Sequence, residues 1–219
     1  MSKLKSYAFY EITKRLIDFI FSVILIILFS PIYIFVAIAI KFDTPGPVFA
    51  DTPKRVGRKG KTFKMYKFRS MVQNAHTLLR EDPHYAKLFN DYKKGSYKLK
   101  DDPRVTKVGR LIRKYSLDEL PQFFNVLDGQ MSIVGPRAYY PDELQDQQKK
   151  YPYTKDAVKV VLSVKPGITG FWQVSGRSEI NFDKRIQMDA DYARRRSVVY
   201  DFWIIFKTPW AMISGKGAL

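Results

Sequence analysis

From Phe19 to Ile40 the chain reads FIFSVILIILFSPIYIFVAIAI, 22 residues without a charge, relieved only by Ser22, Ser30, Pro31 and Tyr33. At about 1.5 Å per residue, such a helix just matches a bilayer core of roughly 30 Å. The run is too uniformly apolar for an amphipathic surface helix. It also lacks the short apolar core and small-residue cleavage site of a secretory leader. Pro45 and Pro47, flanking Gly46, predict that the helix stops near Lys41.

Length alone does not make the segment cross. Pro31 falls near its middle, lacks an N–H, and sets its ring against the carbonyl of Ile27, which kinks a helix. Ser30 beside it can offer its hydroxyl to the carbonyl of Ile26. Both flanks are basic, with Lys3, Lys5, Lys14 and Arg15 before the run and Lys41, Lys54, Arg55, Arg58 and Lys59 after it. A spanning helix biases lysine and arginine toward its cytoplasmic end only. A helix-break-helix that dips into one leaflet and returns fits all three features. A spanning helix with a tolerated proline is the alternative.

Beyond residue 41 the pattern shortens. Thr62 to Arg69 (TFKMYKFR) sets Phe63, Met65, Tyr66 and Phe68 among basic residues and predicts a half-buried strand with a positive face. Met71 to Leu88 reads as a helix interrupted by Pro83. Asn90 to Arg104 is polar and lysine-rich and reads as a surface excursion. Tyr139 to Leu162 is helical in character, broken at Pro152, and Asp183 to Lys207 is helical with a basic patch at Arg194, Arg195 and Arg196. Trp203 and Trp210 suit a membrane interface, and core packing accounts equally well for Trp203. In residues 165–177 (KPGITGFWQVSGR), three glycines and a proline argue against a regular helix. Such a loop can present N–H groups to an anion, although it matches neither the dinucleotide fingerprint nor the lysine-bearing P-loop.

Composition narrows the chemistry. The absence of Cys excludes disulfides, thiolate nucleophiles and thiolate metal sites, and two histidines, His76 and His84, are too few for a histidine metal cluster. With 38 Lys and Arg against 21 Asp and Glu, the part after residue 40 attracts an anionic leaflet, phosphate-bearing substrates or nucleic acid. The 219 residues suit one catalytic unit.

Tyr115 to Arg137 reads YSLDELPQFFNVLDGQMSIVGPR. Ser116 and Glu119 have the spacing of a capping box, with Asp118 in the first turn of the helix. Pro121 then falls past the positions where a missing N–H is harmless, so that helix must distort or start later.

These stretches resemble one family. TKRLIDFIFS with its FSP break, PGPVF at 45–49, YKFRSM at 66–71, the string from Asp102 to Arg137, KPGITGFWQVSGR at 165–177, MDADY at 188–192 and IIFKT at 204–208 together look like the monotopic bacterial sugar transferases, or phosphoglycosyl transferases. The resemblance covers nearly the whole chain. It implies an α+β, mostly helical fold: a re-entrant membrane helix-break-helix at Ser30-Pro31 within residues 1–41, then a compact membrane-surface catalytic domain with a small β element over 42–219.

It further implies that Asp118 is the nucleophile toward a UDP-sugar, that Glu119 acts beside it, and that the two bind Mg²⁺. UMP would leave and undecaprenyl phosphate would accept the phosphosugar, at the start of polysaccharide or glycoconjugate assembly. The enzyme would sit on the cytoplasmic face of the bacterial inner membrane, against anionic phospholipid. Phosphates call for bidentate arginine contacts, and the candidates on the phosphate and nucleotide side are Arg69, Arg104, Arg113, Arg137 and Arg177, with Pro136 and Gly170 in their loops. Where the family reads Pro-Arg-Pro, this chain has Ala138 in third place, which puts the rigidity of that loop in question.

Two rivals stand beside this reading. A Mg-dependent glycosyltransferase using Asp101-Asp102 would release UDP instead of UMP. A non-enzymatic basic membrane-surface or nucleic-acid-binding protein is the second, suggested by the charge. The dispersed lysines and arginines match no nucleic-acid-binding module, so no nucleic-acid partner is expected. The sugar and the oligomeric state, including a homodimer, are left open by sequence.

Overall fold

The computed structural model describes residues 2–94, 97, 99, 101–176 and 180–213, with side-chain detail between Ala8 and Met212. It is mostly helical and opens on a bent helix pair. Helix α1 runs Ser2–Leu28 and α2 runs Ser30–Asp43. Neither is long and apolar enough to cross a membrane alone, and together they bend by 60°.

The break sits one residue earlier than the proline predicts. Phe29 leaves helical geometry, and Pro31 falls in the first turn of α2, where its missing N–H has no intrahelical partner to lose. The Ser30 hydroxyl donates to the carbonyl of Ile27 at 2.8 Å, not to that of Ile26. The bend exposes the Ile27 carbonyl and brings it within reach. The basic lead-in before Phe19 belongs to the same helix.

One side of the pair is apolar and open, with Leu16, Ile24, Ile27 and Leu28 on α1 and Ile34, Phe35, Ile38 and Phe42 on α2 exposed. A continuous apolar surface of this kind belongs against a membrane or another protein. The opposite side is tied to the rest of the chain. Arg15 donates to the carbonyls of Val126 (2.5 Å) and Leu127 (2.8 Å), and Asp18 accepts the N–H of Ile133 at 3.0 Å. Val36 and Ile40 of α2 share a core with Phe68 and Ile112.

Strands β1 (Arg55–Val56) and β2 (Thr62–Phe63) form an antiparallel hairpin. The strand expected over Thr62 to Arg69 is therefore short, and its alternation lasts only to Tyr66: Phe63 and Met65 are buried and Lys64 and Tyr66 exposed, whereas Phe68 turns into the separate core of Val36 and Ile112 and bridges Phe49. Helices α3 (Ala75–Glu81) and α4 (Ala86–Lys94) flank a tight turn at Pro83. The surface excursion expected over Asn90 to Arg104 holds only in part where it is described: Asn90, Asp91, Lys93, Lys94, Asp101 and Pro103 are exposed, but three residues turn inward. Tyr92 and Tyr97 pack with Tyr140, and Arg104 is buried against Asp102.

Next come α5 (Lys107–Lys114), α6 (Gln122–Leu127) and β3 (Ser132–Val134), then α7 (Pro141–Lys150), α8 (Lys155–Val161), β4 (Gly167–Thr169) and α9 (Phe171–Ser175). The described part of the Gly/Pro-rich stretch, residues 165–176, thus holds a strand followed by a short helix, with Trp172 buried, and is not a free loop. Helices α10 (Phe182–Arg195) and α11 (Val198–Ile213) close the chain. On α11, Trp203 meets Phe171 and Tyr200 and is partly exposed, while Trp210 is exposed.

β3 and β4 are parallel, and their junction is built on glycine. A Cβ on Gly167 would lie 2.0 Å from the backbone N of Gly135, and one on Gly170 would lie 2.2 Å from the Gly135 carbonyl oxygen. Space, not dihedral freedom, requires glycine here. Gly167→Ala is expected to lower stability by about 3 kcal/mol or more, because backbone must move. The shift of the denaturant midpoint measures it.

Candidate active site

The acidic pair sits on a tight turn, not in a capped helix. Ser116 adopts a left-handed conformation (φ 54°) and makes no side-chain cap, so the capping-box reading fails. Leu117–Glu119 forms a single 3-10 turn. Pro121 then precedes α6, which starts later because proline lacks the N–H that a continuing helix would use.

That turn is anchored from below. The Tyr33 hydroxyl of α2 donates to the carbonyl of Leu120 at 2.6 Å, and Leu117 and Leu120 pack with Val36 and Ile40. From the side, the Phe68 N–H donates to the carbonyl of Asp118 at 3.0 Å, and residues 67–69 also bond to Val48 and Ala50. With Phe68 committed to the core, two-residue alternation points Lys67 toward the acids. Its Nζ lies 2.7 Å from Glu119 Oε1 and 3.5 Å from Asp118 Oδ2.

The two carboxyls are driven apart. Burial raises that of Asp118 above the usual carboxylate range, and Glu119 adds to the rise while Lys67 only partly offsets it. Burial also pushes Glu119 upward, but its close contact with Lys67, helped by Arg137 and Arg55, outweighs this and leaves it lower than usual. The two carboxyls titrate as a coupled pair, with Lys67 the nearest countercharge to both.

Both acids line a cleft of about 530 Å³. Arg69, Arg104, Arg113 and Arg137 line it too, but they do not serve alike. Arg104 is fully engaged, pairing with both oxygens of Asp102 (2.8 and 2.6 Å) and donating to the carbonyl of Ala75. The same pairing occupies Asp102, so of the rival's Asp101-Asp102 pair only the exposed Asp101 is left for a metal. Arg69 braces the turn after α2 through the carbonyls of Pro45 and Thr44. Arg113 lies close enough for its charge to favour ionised Asp118. Pro136 and Gly170 stand behind the wall: the Pro136 carbonyl accepts the Gly167 N–H at 2.8 Å, and Gly170 packs on Gly135. Arg177 lies outside the described residues.

Arg137 is held by a residue whose role the sequence left blank. Its N–H donates to Asp189 Oδ2 (3.1 Å), which also accepts the hydroxyl of Tyr139 (2.9 Å). Burial pushes the Asp189 carboxyl up to about 7. The loop keeps its shape without a second proline. The Ala138 carbonyl accepts from Arg55 (3.0 Å), the Tyr139 carbonyl accepts from Val56, and the Arg137 guanidinium lies 5.5 Å over the Trp172 ring. Sequence reasoning missed Lys67 and Arg55 as well. The signal for Lys67 was its place in YKFRSM, one residue from an obligate core phenylalanine.

Magnesium suits this donor set. Among the described residues no cluster of three or more His, Cys, Asp or Glu is gathered to hold a metal. Magnesium commonly takes only one or two carboxylates and completes its shell with substrate phosphates and water. Asp118 and Glu119 offer that pair on an open cleft, with the Lys67 ammonium already drawn to the same oxygens.

Over 205 residues the chain is 42% identical to an undecaprenyl-phosphate galactose phosphotransferase of Salmonella typhimurium, covering 94% of this chain and 41% of that protein. Over 214 residues it is 38% identical to the UDP-glucose:undecaprenyl-phosphate glucose-1-phosphate transferase of Escherichia coli, covering 95% and 42%. An exopolysaccharide production protein, ExoY, of Sinorhizobium fredii is 38% identical over 207 residues and is covered to 88%. The chain spans about two-fifths of the length of the first two of these relatives. With residues 9–215 matching the family model, the chain belongs to the bacterial sugar transferase family.

Proposed function

We infer that the chain moves a sugar-1-phosphate from a UDP-sugar to undecaprenyl phosphate by way of a covalent Asp118 phosphosugar. An Asp118 carboxylate oxygen attacks the sugar-linked phosphorus, the bond from that phosphorus to UMP breaks, and UMP leaves. A phosphate oxygen of the lipid then attacks the same phosphorus, forms the diphosphate and frees Asp118. The observation that carries this reading is the buried Asp118 with Glu119 and Lys67 on the floor of the cleft, on a turn packed directly against the bent helix pair.

Lys67, Arg113 and Arg137 neutralise phosphate charge in the cleft. A magnesium ion held by Asp118 and Glu119 would add charge neutralisation at the donor phosphates. A donor from water and an acceptor from the bilayer can meet only at the leaflet surface. Residues 1–41 serve as the membrane element and 42–219 as the surface domain, on the cytoplasmic face of the bacterial inner membrane.

The deciding test supplies the membrane-reconstituted protein with UDP-sugars, Mg²⁺ and undecaprenyl phosphate and identifies the released nucleotide. UMP is expected; UDP would establish plain glycosyl transfer instead. Topology has its own check in this cysteine-free chain. Ser2→Cys and Thr44→Cys should each be labelled by an impermeant thiol reagent only from the cytoplasmic side. Labelling of either from the opposite side in intact cells would overturn the dip.

A further inference from the structure

One wall of the cleft plays no part in the phosphate chemistry above. It is formed by Arg55 of the β1 hairpin, His76 of α3, Tyr92 of α4, Tyr97 just beyond α4, and Tyr140 in the loop after Arg137. Arg55 joins this wall to the acids, since its charge favours ionised Glu119 on one side and neutral His76 on the other. The Arg55 guanidinium lies 3.3 Å over the ring of Tyr140, Nη1 donates to the Ala138 carbonyl, and Nε is buried with no hydrogen-bond partner. A buried guanidinium N–H left unmatched costs free energy until an acceptor reaches it.

Ring geometry limits what the wall can take. His76 meets Tyr140 at 62°, Tyr92 meets Tyr97 at 66°, and Tyr97 is tilted 34° from Tyr140. With Arg55 covering a face of Tyr140, the rings offer edges and polar atoms in place of a parallel slot for a flat base. Burial, followed by the charges of Arg55, Arg104 and Arg80, pushes the His76 imidazole down to about 4, so at neutral pH it carries one donor and one acceptor. Tyr97 spends its hydroxyl on Asp146 at 2.9 Å, while the Tyr92 and Tyr140 hydroxyls hydrogen-bond to each other, so that pair keeps one O–H donor and acceptor lone pairs for a ligand. Arg104 is neutralised by Asp102. Neutral donors and acceptors around one guanidinium N–H suit a polyhydroxylated ring better than a phosphate or a base.

We propose that this wall receives the sugar ring of the donor, a neutral hexopyranose, and selects it through hydroxyl contacts with Tyr92, Tyr140, His76 and Arg55 Nε. The proposal rests on the sugar-phosphate transfer reading. A site built to hydrogen-bond a hydroxyl rejects an analogue without it strongly, because its own buried polar groups are then left unmatched.

The test compares wild type with Tyr92→Phe and His76→Gln, each checked for folding by circular dichroism. UDP-glucose, UDP-galactose and their 2-acetamido forms serve as donors, and UMP serves as a competitive inhibitor. For the preferred donor, kcat/KM is expected to fall about 10- to 100-fold and preference among donors to flatten, while the UMP inhibition constant stays within about twofold. A parallel weakening of UMP inhibition would assign the wall to the nucleotide, and unchanged kinetics in both variants would reduce it to core packing. Either result overturns the proposal. If Tyr92→Phe does not fold, His76→Gln carries the same comparison. A wild type that releases no UMP from any donor defeats the transfer reading itself. In that case calorimetric affinities for a UDP-hexose and for UMP still test the wall, which is upheld only if the variants lose affinity for the UDP-hexose alone.

Discussion

Asp118→Asn is expected to abolish UMP release, by about 10³-fold or more, and to leave a folded protein. Incubated with its UDP-sugar and Mg²⁺ but without lipid acceptor, the wild type should gain one hexose-phosphate unit, roughly 242 Da for an unmodified hexose by the covalent route. Asparagine keeps the shape of the side chain and removes the charged oxygen that attacks. Asp118 caps no helix, and Lys67 retains its 2.7 Å partner in Glu119, so the substitution leaves the turn's main supports in place. Intact-protein mass spectrometry with circular dichroism reads the outcome. A folded Asp118→Asn protein that still acquires the adduct would remove Asp118 from the nucleophile's role and turn attention to Glu119.

Lys67→Met should be nearly as damaging, with kcat/KM lower by about 10²- to 10³-fold, because a preorganised positive charge is lost from a buried anionic site. The sign of its pH effect follows from the ion pairs. Lys67 favours the charged form of both acids, most strongly Glu119. Without it, two neighbouring carboxyls share one buried site with less compensation, so their ionisation moves to higher pH. The acidic limb of the activity profile should therefore shift upward, and the loss at pH 6 should exceed the loss at pH 8. An unshifted acidic limb in an otherwise impaired Lys67→Met protein would show that the lysine does not set the protonation state of the pair.

Some of this was legible in one dimension. Twenty-two uncharged residues, a proline in their midst and basic flanks are local features, and local features dictated a broken apolar helix. Pro121 announced that no ordinary helix could run on from Ser116, and the helix does begin after it. Phe63 and Met65 were readable as an inward face because alternation is a property of the strand itself, but the same pattern did not say that Tyr66 is exposed or that Phe68 enters a different core.

Other features were decided only when distant segments met. Lys67 and Glu119 are 52 positions apart, and nothing in TFKMYKFR says which carboxylate its lysine will reach. Arg69 and Arg104 look like Arg113 and Arg137 in sequence. Tertiary structure commits the first two to the carbonyls of Thr44 and Pro45 and to Asp102, while Asp189 and Trp172 hold Arg137 in place over the cleft. The glycines of 165–177 suggested a loop by their conformational freedom. The actual service of Gly167 and Gly170 is to let the backbones around β3 and β4 approach more closely than any Cβ allows. The sequence by itself determined what depends on spacing along the chain: the apolar run, its break and the adjacent acids. Tertiary structure decided which charges are matched and which backbones touch, because charge matching and steric fit depend on distance through space.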